Sequence, residues 1–197
     1  ATLGLDLTLE DYYDKYLGYD DHDCLLIAGR DRGAELSERQ IVDLTAAKTE
    51  LVQRAFRESI QPLPGAVALI RAIAAAGVPM AICSGALRDE IILASRAVGV
   101  LDCFQAIVAA QDVTSGKPDP EGYLAARSLL ARAVGKDLRP RRCIVVEDSP
   151  AGIDAGTSAG MKVLAVATSY SPNHLAKADR VVASLAEITL AELKELV

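Results

Sequence analysis

Cys143-Ile-Val-Val-Glu-Asp-Ser-Pro-Ala-Gly-Ile-Asp-Ala-Gly-Thr-Ser-Ala-Gly-Met-Lys-Val-Leu-Ala-Val166 is the stretch that decides the fold. It opens on an apolar run, 143–147, that reads as a buried strand. Ser149-Pro150 then signals a helix start, because proline is tolerated at a first helical position that has no hydrogen bond to lose. Ala151, Gly152, Ala155, Gly156, Ala159 and Gly160 make that helix narrow enough to lie close against a sheet. A second apolar run, 162–166, closes the unit. Apolar runs joined by a helical crossover imply parallel strands covered on both faces.

Working outward, the same alternation holds from Pro64 to the end, with strands expected near 78–83, 106–110, 143–147, 162–166 and 180–183. Pro64 is expected to open a helix that Gly77 ends, and Gly99 and Gly135 to end helices starting near Ala86 and Pro120. Before residue 60 the signals are almost wholly helical. Thr8 with Asp11 and Ser37 with Gln40 have capping-box spacing, and Ile41, Leu44, Lys48, Leu51, Val52 and Phe56 follow mostly i, i+3, i+4 spacing. Pro62-Leu63-Pro64-Gly65 interrupts this pattern as a stiff linker or hinge. The chain therefore divides into a helical unit, 1–61, and an α/β core, 62–197.

Composition narrows the partners. A net charge of −6 disfavours nucleic acid, whose phosphate backbone requires a basic face. The basic cluster 139–142 reads as a solvated turn before a strand. The longest apolar stretches are too short or too interrupted for a membrane span, and no signal-peptide pattern opens the chain. A soluble, cytoplasmic protein with no membrane, nucleic-acid or obligate protein partner is expected. Four cysteines without metal-ligand spacing read as reduced thiols, and His22 and His174 as surface or capping groups.

Three segments at strand ends carry the chemistry. In an open parallel sheet ligands gather outside the carboxyl ends of the strands, so groups delivered there converge. Ser84-Gly85 is either a helix cap with a turn glycine or a phosphate cradle of hydroxyl and backbone amides. Lys117, in Gly116-Lys-Pro-Asp-Pro120, is either solvated or the cation that neutralises a phosphoryl group. Glu147 and Asp148 either cap the following helix dipole or hold Mg²⁺, which accepts one or two carboxylates beside substrate phosphate. No P-loop, Ser-His-Asp or dinucleotide fingerprint is present.

The order Ser84, Lys117, Glu147-Asp148, with the runs Gly116-Lys-Pro-Asp-Pro-Glu-Gly-Tyr123 and 145–161, resembles motifs two to four of the haloacid dehalogenase-like superfamily, in its phosphatase and beta-phosphoglucomutase-like branch. The likeness covers essentially the whole chain. It implies a Rossmann-like core with the helical unit 1–61 as a cap domain. It also implies a Mg²⁺-dependent phosphatase that acts on a small sugar phosphate-like metabolite through an aspartyl-phosphate. Ser84 and Gly85 would bind phosphate, Lys117 would hold phosphate and nucleophile, and Glu147 with Asp148 would hold the metal. A beta-phosphoglucomutase-like isomerase and a non-catalytic metabolite-binding protein are the alternatives. The acidic run 18–23 favours hydrolysis over the mutase, whose cap grips a second phosphate. The Asp-x-Asp-Gly-Thr motif of the first strand is absent, and Asp6 in Gly4-Leu-Asp-Leu-Thr8 does not replace it. From the resemblance, that strand would stand between 78–83 and 143–147, and the chain would be an amino-terminally shortened part of a longer polypeptide. Tyr16, Tyr19, Asp20 and His22 are the residues that face either the pocket or the surface of the cap.

Overall fold

The computed structural model describes residues 7–17 and 19–197, so Asp6 and Gly18 lie outside the described residues. Eight α-helices are described: α1 (Leu9–Asp11), α2 (Asp21–Asp31), α3 (Glu38–Glu58), α4 (Ala66–Ala75), α5 (Arg88–Ala97), α6 (Glu121–Val134), α7 (Pro150–Ser158) and α8 (Leu190–Lys194). The strands are β1 (Ala81–Cys83), β2 (Ala106–Val108), β3 (Ile144–Glu147), β4 (Lys162–Val166) and β5 (Arg180–Val182). Every ladder is parallel, and the class read from the sequence holds: α/β, with helices covering parallel strands. The strands form two sheets, β1-β2 and β3-β4-β5. Among the described residues no strand pairs with the outer edge of β1 or β3, and Val146 on β3 is 45% exposed.

The core is centred on β4, where the two-residue period of a strand sends alternate side chains to opposite faces. Val163 and Ala165 pack with Val145, Ile153, Ala155 and Leu175 on the α7 side. Leu164 and Val166 pack with Leu69, Val182, Ile188 and Leu193 on the α4 and α8 side. Burial on both faces is what an uninterrupted apolar strand requires.

Several boundaries differ from the sequence expectation for local reasons. Helix α4 is opened by Gly65 rather than Pro64, because the chain turns there through the left-handed region, at φ +82°. The first strand begins at Ala81, since the Met80 amide is taken by the Gln105 side chain. The second ends at Val108, because the Ala109 amide donates to the Asp112 carboxylate. Helix α5 begins at Arg88, where the Glu90 carboxylate accepts from the Leu87 amide and fixes an irregular turn after Ser84.

The amino-terminal helices pack as a separate layer. The Ser37 capping box forms as its spacing predicts and opens the 21-residue α3, which packs on α2 and on α5 of the α/β part. Thr8 accepts from the Asp11 amide at 3.0 Å. Residues Tyr12–Tyr16 follow as a π-helical turn that buries Tyr16, whose hydroxyl donates to Asp31 and accepts from Arg32.

Candidate active site

Cys83 and Val108 are register partners at the carboxyl ends of β1 and β2, so the loops after them leave the sheet on the same edge. These loops form one recess whose lining includes Ser84, Gly85, Ser115, Lys117, Tyr123 and, from the helical layer, Asp20. The Ser84 amide continues the ladder to Val108 O, while its Oγ accepts from the Ala86 amide at 3.1 Å. That bond does not use the hydroxyl hydrogen.

The Lys117 loop is held from both sides. The Glu121 carboxylate accepts from the Thr114 and Ser115 amides, and the Asp119 carboxylate accepts from the Glu121 amide at 2.8 Å. The Lys117–Pro118 peptide is cis. The Lys117 ammonium lies 5.2 Å from the centre of the Tyr123 ring and donates to Glu147 Oε1, which also accepts from the Tyr123 hydroxyl. Glu147 Oε2 accepts from the Asp148 amide and from Ser149 Oγ, each at 3.1 Å. Ser149 Oγ in turn caps α7 by accepting from the Gly152 amide.

Glu147 is thus a buried carboxylate filled by four donors. Burial alone would raise its pKa, but the Lys117 charge and the bonds from Lys117 and Tyr123 outweigh it and hold the carboxyl below its ordinary value. The same burial, with Glu147 beside it, pushes the Tyr123 hydroxyl far up, so Tyr123 remains a donor at every physiological pH. Burial likewise pushes the Cys83 thiol up to about 11. All four cysteines are free.

Of the residues singled out in the sequence, the structure brings Ser84, Gly85, Lys117 and Glu147 together. Glu147 and Asp148 both stand behind the recess lining: Glu147 reaches it through Lys117 and Tyr123, whereas Asp148 Oδ2 accepts from Ser169 Oγ at 2.6 Å. For a hard cation the two carboxylates differ. Asp148 keeps one oxygen unbonded among the described residues, whereas Glu147 must release Lys117 or Tyr123 before it can ligate. The carboxylates here and in the layer above, where Asp20, His22 and Asp23 bring ligand atoms within 4.8 Å of one another, are compatible with Mg²⁺.

Four participants were not assigned by sequence reasoning. Ser149 was legible as a cap, in an Asp-Ser-Pro pattern. Tyr123, the third residue of α6, ends the Gly116–Tyr123 run, which gives no local sign of its bond to Glu147. Ser169 lies twenty-one residues beyond Asp148 with no local signal. Helix spacing does not choose among Asp20, Tyr16, Tyr19 and His22. The structure buries Tyr16, turns His22 toward Asp23 and Glu38, and puts Asp20 at the recess.

The sequence pattern of the haloacid dehalogenase-like hydrolases matches residues 5–160. The chain is 36% identical over 153 residues to hexitol phosphatase A of Escherichia coli K12, covering 76% of this chain and 67% of that protein. It is 41% identical over 135 residues to the bifunctional riboflavin kinase/FMN phosphatase of Arabidopsis thaliana, covering 68% and 34%. The chain therefore spans about two thirds of one curated relative and about one third of the other. A beta-phosphoglucomutase structure from Clostridium difficile superposes with a TM-score of 0.84 at 24% identity, covering 99% of this chain and 84% of that one, a likeness of fold. Among the described residues no helix is long and apolar enough to cross a membrane.

Proposed function

The chain belongs to the haloacid dehalogenase-like hydrolases, and from that premise we propose that it is a phosphoric monoester hydrolase acting on a small, sugar phosphate-like metabolite in the cytoplasm. The observation that carries this reading is the Lys117 ammonium, fixed by a buried carboxylate and a tyrosine at the recess that Ser84 and Gly85 also line. Phosphoryl transfer is catalysed chiefly by positioning and charge neutralisation, and these residues supply both.

In this reading the Ser84 hydroxyl and the Gly85 amide donate to phosphoryl oxygens, and Lys117 offsets the charge that develops on them. Glu147 and Tyr123 hold Lys117 at that point and keep it from solvent. Asp148, steadied by Ser169, offers the open carboxylate oxygen for Mg²⁺, with Glu147 beside it as the second carboxylate. Bound Mg²⁺ would supply positive charge to the phosphoryl oxygens. The helical unit 1–61 is the cap over the core 62–197, hinged near Pro62 to Pro64. The transfer itself is proposed to pass through an aspartyl-phosphate, whose aspartate is not assigned to any described residue.

The test is phosphate release by the native protein from sorbitol 6-phosphate, with and without Mg²⁺, together with analysis of the organic product. Mg²⁺-dependent release of free phosphate with the dephosphorylated polyol is expected, and Lys117→Ala should lower it by about a hundredfold or more. An isomeric sugar phosphate without free phosphate would move the assignment to the mutase, and near-normal turnover in Lys117→Ala would overturn the role given to that residue.

A further inference from the structure

Asp20 belongs to the helical layer, yet it lines the same recess as Ser84 and Lys117. Its backbone and Cβ lie 3.3 to 3.5 Å from where a side chain on Gly85 would begin, and its Oδ2 lies 2.6 Å from the same point on Gly116. The carboxylate is held in place, because Oδ1 caps α2 by accepting from the Asp23 amide at 2.9 Å. A fixed oxygen, Oδ2, therefore sits against the Gly116 loop that carries Lys117, while the Asp20 backbone and Cβ lie over Gly85 beside Ser84.

The charge around Asp20 is not cancelled by the cations nearby. Lys48 is engaged by Asp21 at 2.9 Å and by the buried Glu90 at 3.6 Å. Lys117 is matched by Glu147. His22 is turned toward Asp23 and the exposed Glu38. Asp23 Oδ2 adds a second carboxylate 3.7 Å from the Gly116 position. The recess therefore carries negative charge where the helical layer meets the Gly85 and Gly116 loops.

We infer that Asp20 is a specificity-determining residue, whose carboxylate selects phosphate monoesters with an uncharged, hydroxyl-bearing remainder and rejects those carrying a second anionic group. This rests on the phosphatase reading and names its substrate class. A substrate hydroxyl donates to Oδ2, whereas a second phosphate or a carboxylate brought there meets like charge in a partly desolvated site, which is how a binding site discriminates by repulsion.

The test compares kcat/KM of the native protein, Asp20→Asn and Asp20→Ser on sorbitol 6-phosphate, fructose 1,6-bisphosphate and p-nitrophenyl phosphate. Both substitutions keep a side-chain oxygen that can cap α2 and remove the charge, Asn by putting an amide in place of the carboxylate and Ser by deleting the second oxygen. The native protein should prefer sorbitol 6-phosphate to the bisphosphate, and the preference should fall about tenfold in both variants, chiefly through a lower KM for the bisphosphate. A ratio within about twofold of the native value in either folded variant, with p-nitrophenyl phosphate still hydrolysed, overturns the inference and leaves the phosphatase reading standing. Failure of the native protein to release phosphate from any of the three overturns the reading and the inference together.

Discussion

Glu147 accepts two hydrogen bonds on each oxygen, and every one of its partners matters to another part of the site. Its position depends on Gly152, because a Cβ there would fall 2.0 Å from the Glu147 carboxyl carbon. Gly152→Ala is expected to force the carboxylate away from Lys117, costing about 1 to 3 kcal/mol of stability and most of the turnover, as measured by urea unfolding and phosphate release. The depressed pKa of Glu147 also sets a pH dependence. Its contribution to stability is fully present above the ordinary value of 4.5 and is lost as the pH falls through the lower folded-state value. Urea midpoints for the native protein and Glu147→Gln should therefore converge as the pH falls below the ordinary value of 4.5. A gap that stays constant as the pH is lowered below 4.5 would show that Lys117 does not hold the carboxylate charged.

At the scale of elements, the boundary between the helical layer and the α/β part is carried by one residue. Gly65 opens α4 at φ +82°, and a Cβ there would lie 2.2 Å from the Ala186 amide nitrogen. Gly65→Ala should cost at least about 2 kcal/mol in chemical denaturation, combining left-handed strain with a backbone collision. A cost below about 0.5 kcal/mol would mean that the turn relaxes freely. The linker prolines and the later glycine were legible as a break in sequence. The contact that makes glycine obligatory comes from residues 185 and 186, over a hundred positions away, and no local pattern reports it.

Over the whole molecule, the helical layer and the α/β part are tied through Lys48 on α3, which bridges Asp21 and the buried Glu90 of α5. One oxygen of Glu90 is buried without a hydrogen-bond partner. Lys48→Met leaves that carboxylate uncompensated, and because Lys48 is itself 42% exposed the cost is expected to be about 1 to 2 kcal/mol. Adding Glu90→Gln, which keeps the bond from the Leu87 amide, should recover most of it in a double-mutant cycle. Independent, additive effects would show that the bridge does not couple the two layers.

The five strand runs, the helix-length crossovers, the Ser37 cap and the change from helical to alternating pattern near Pro62 were all readable along the chain, because strand and helix periods, proline and glycine act over a few residues. Ser84, Gly85, Lys117, Glu147 and Asp148 were readable as candidates for the same reason, since each stands at the end of a strand run or in the loop that follows one. Two things were not readable. One was the division of labour between the adjacent carboxylates, with Glu147 filled by Lys117 and Tyr123 and Asp148 open beside Ser169. The other was the placement of Asp20 over Gly85 and Gly116. Both are settled by side chains that meet across 20 to 100 residues of chain. Such meetings depend on how layers pack in three dimensions, a property to which the local periodicity of a sequence is blind.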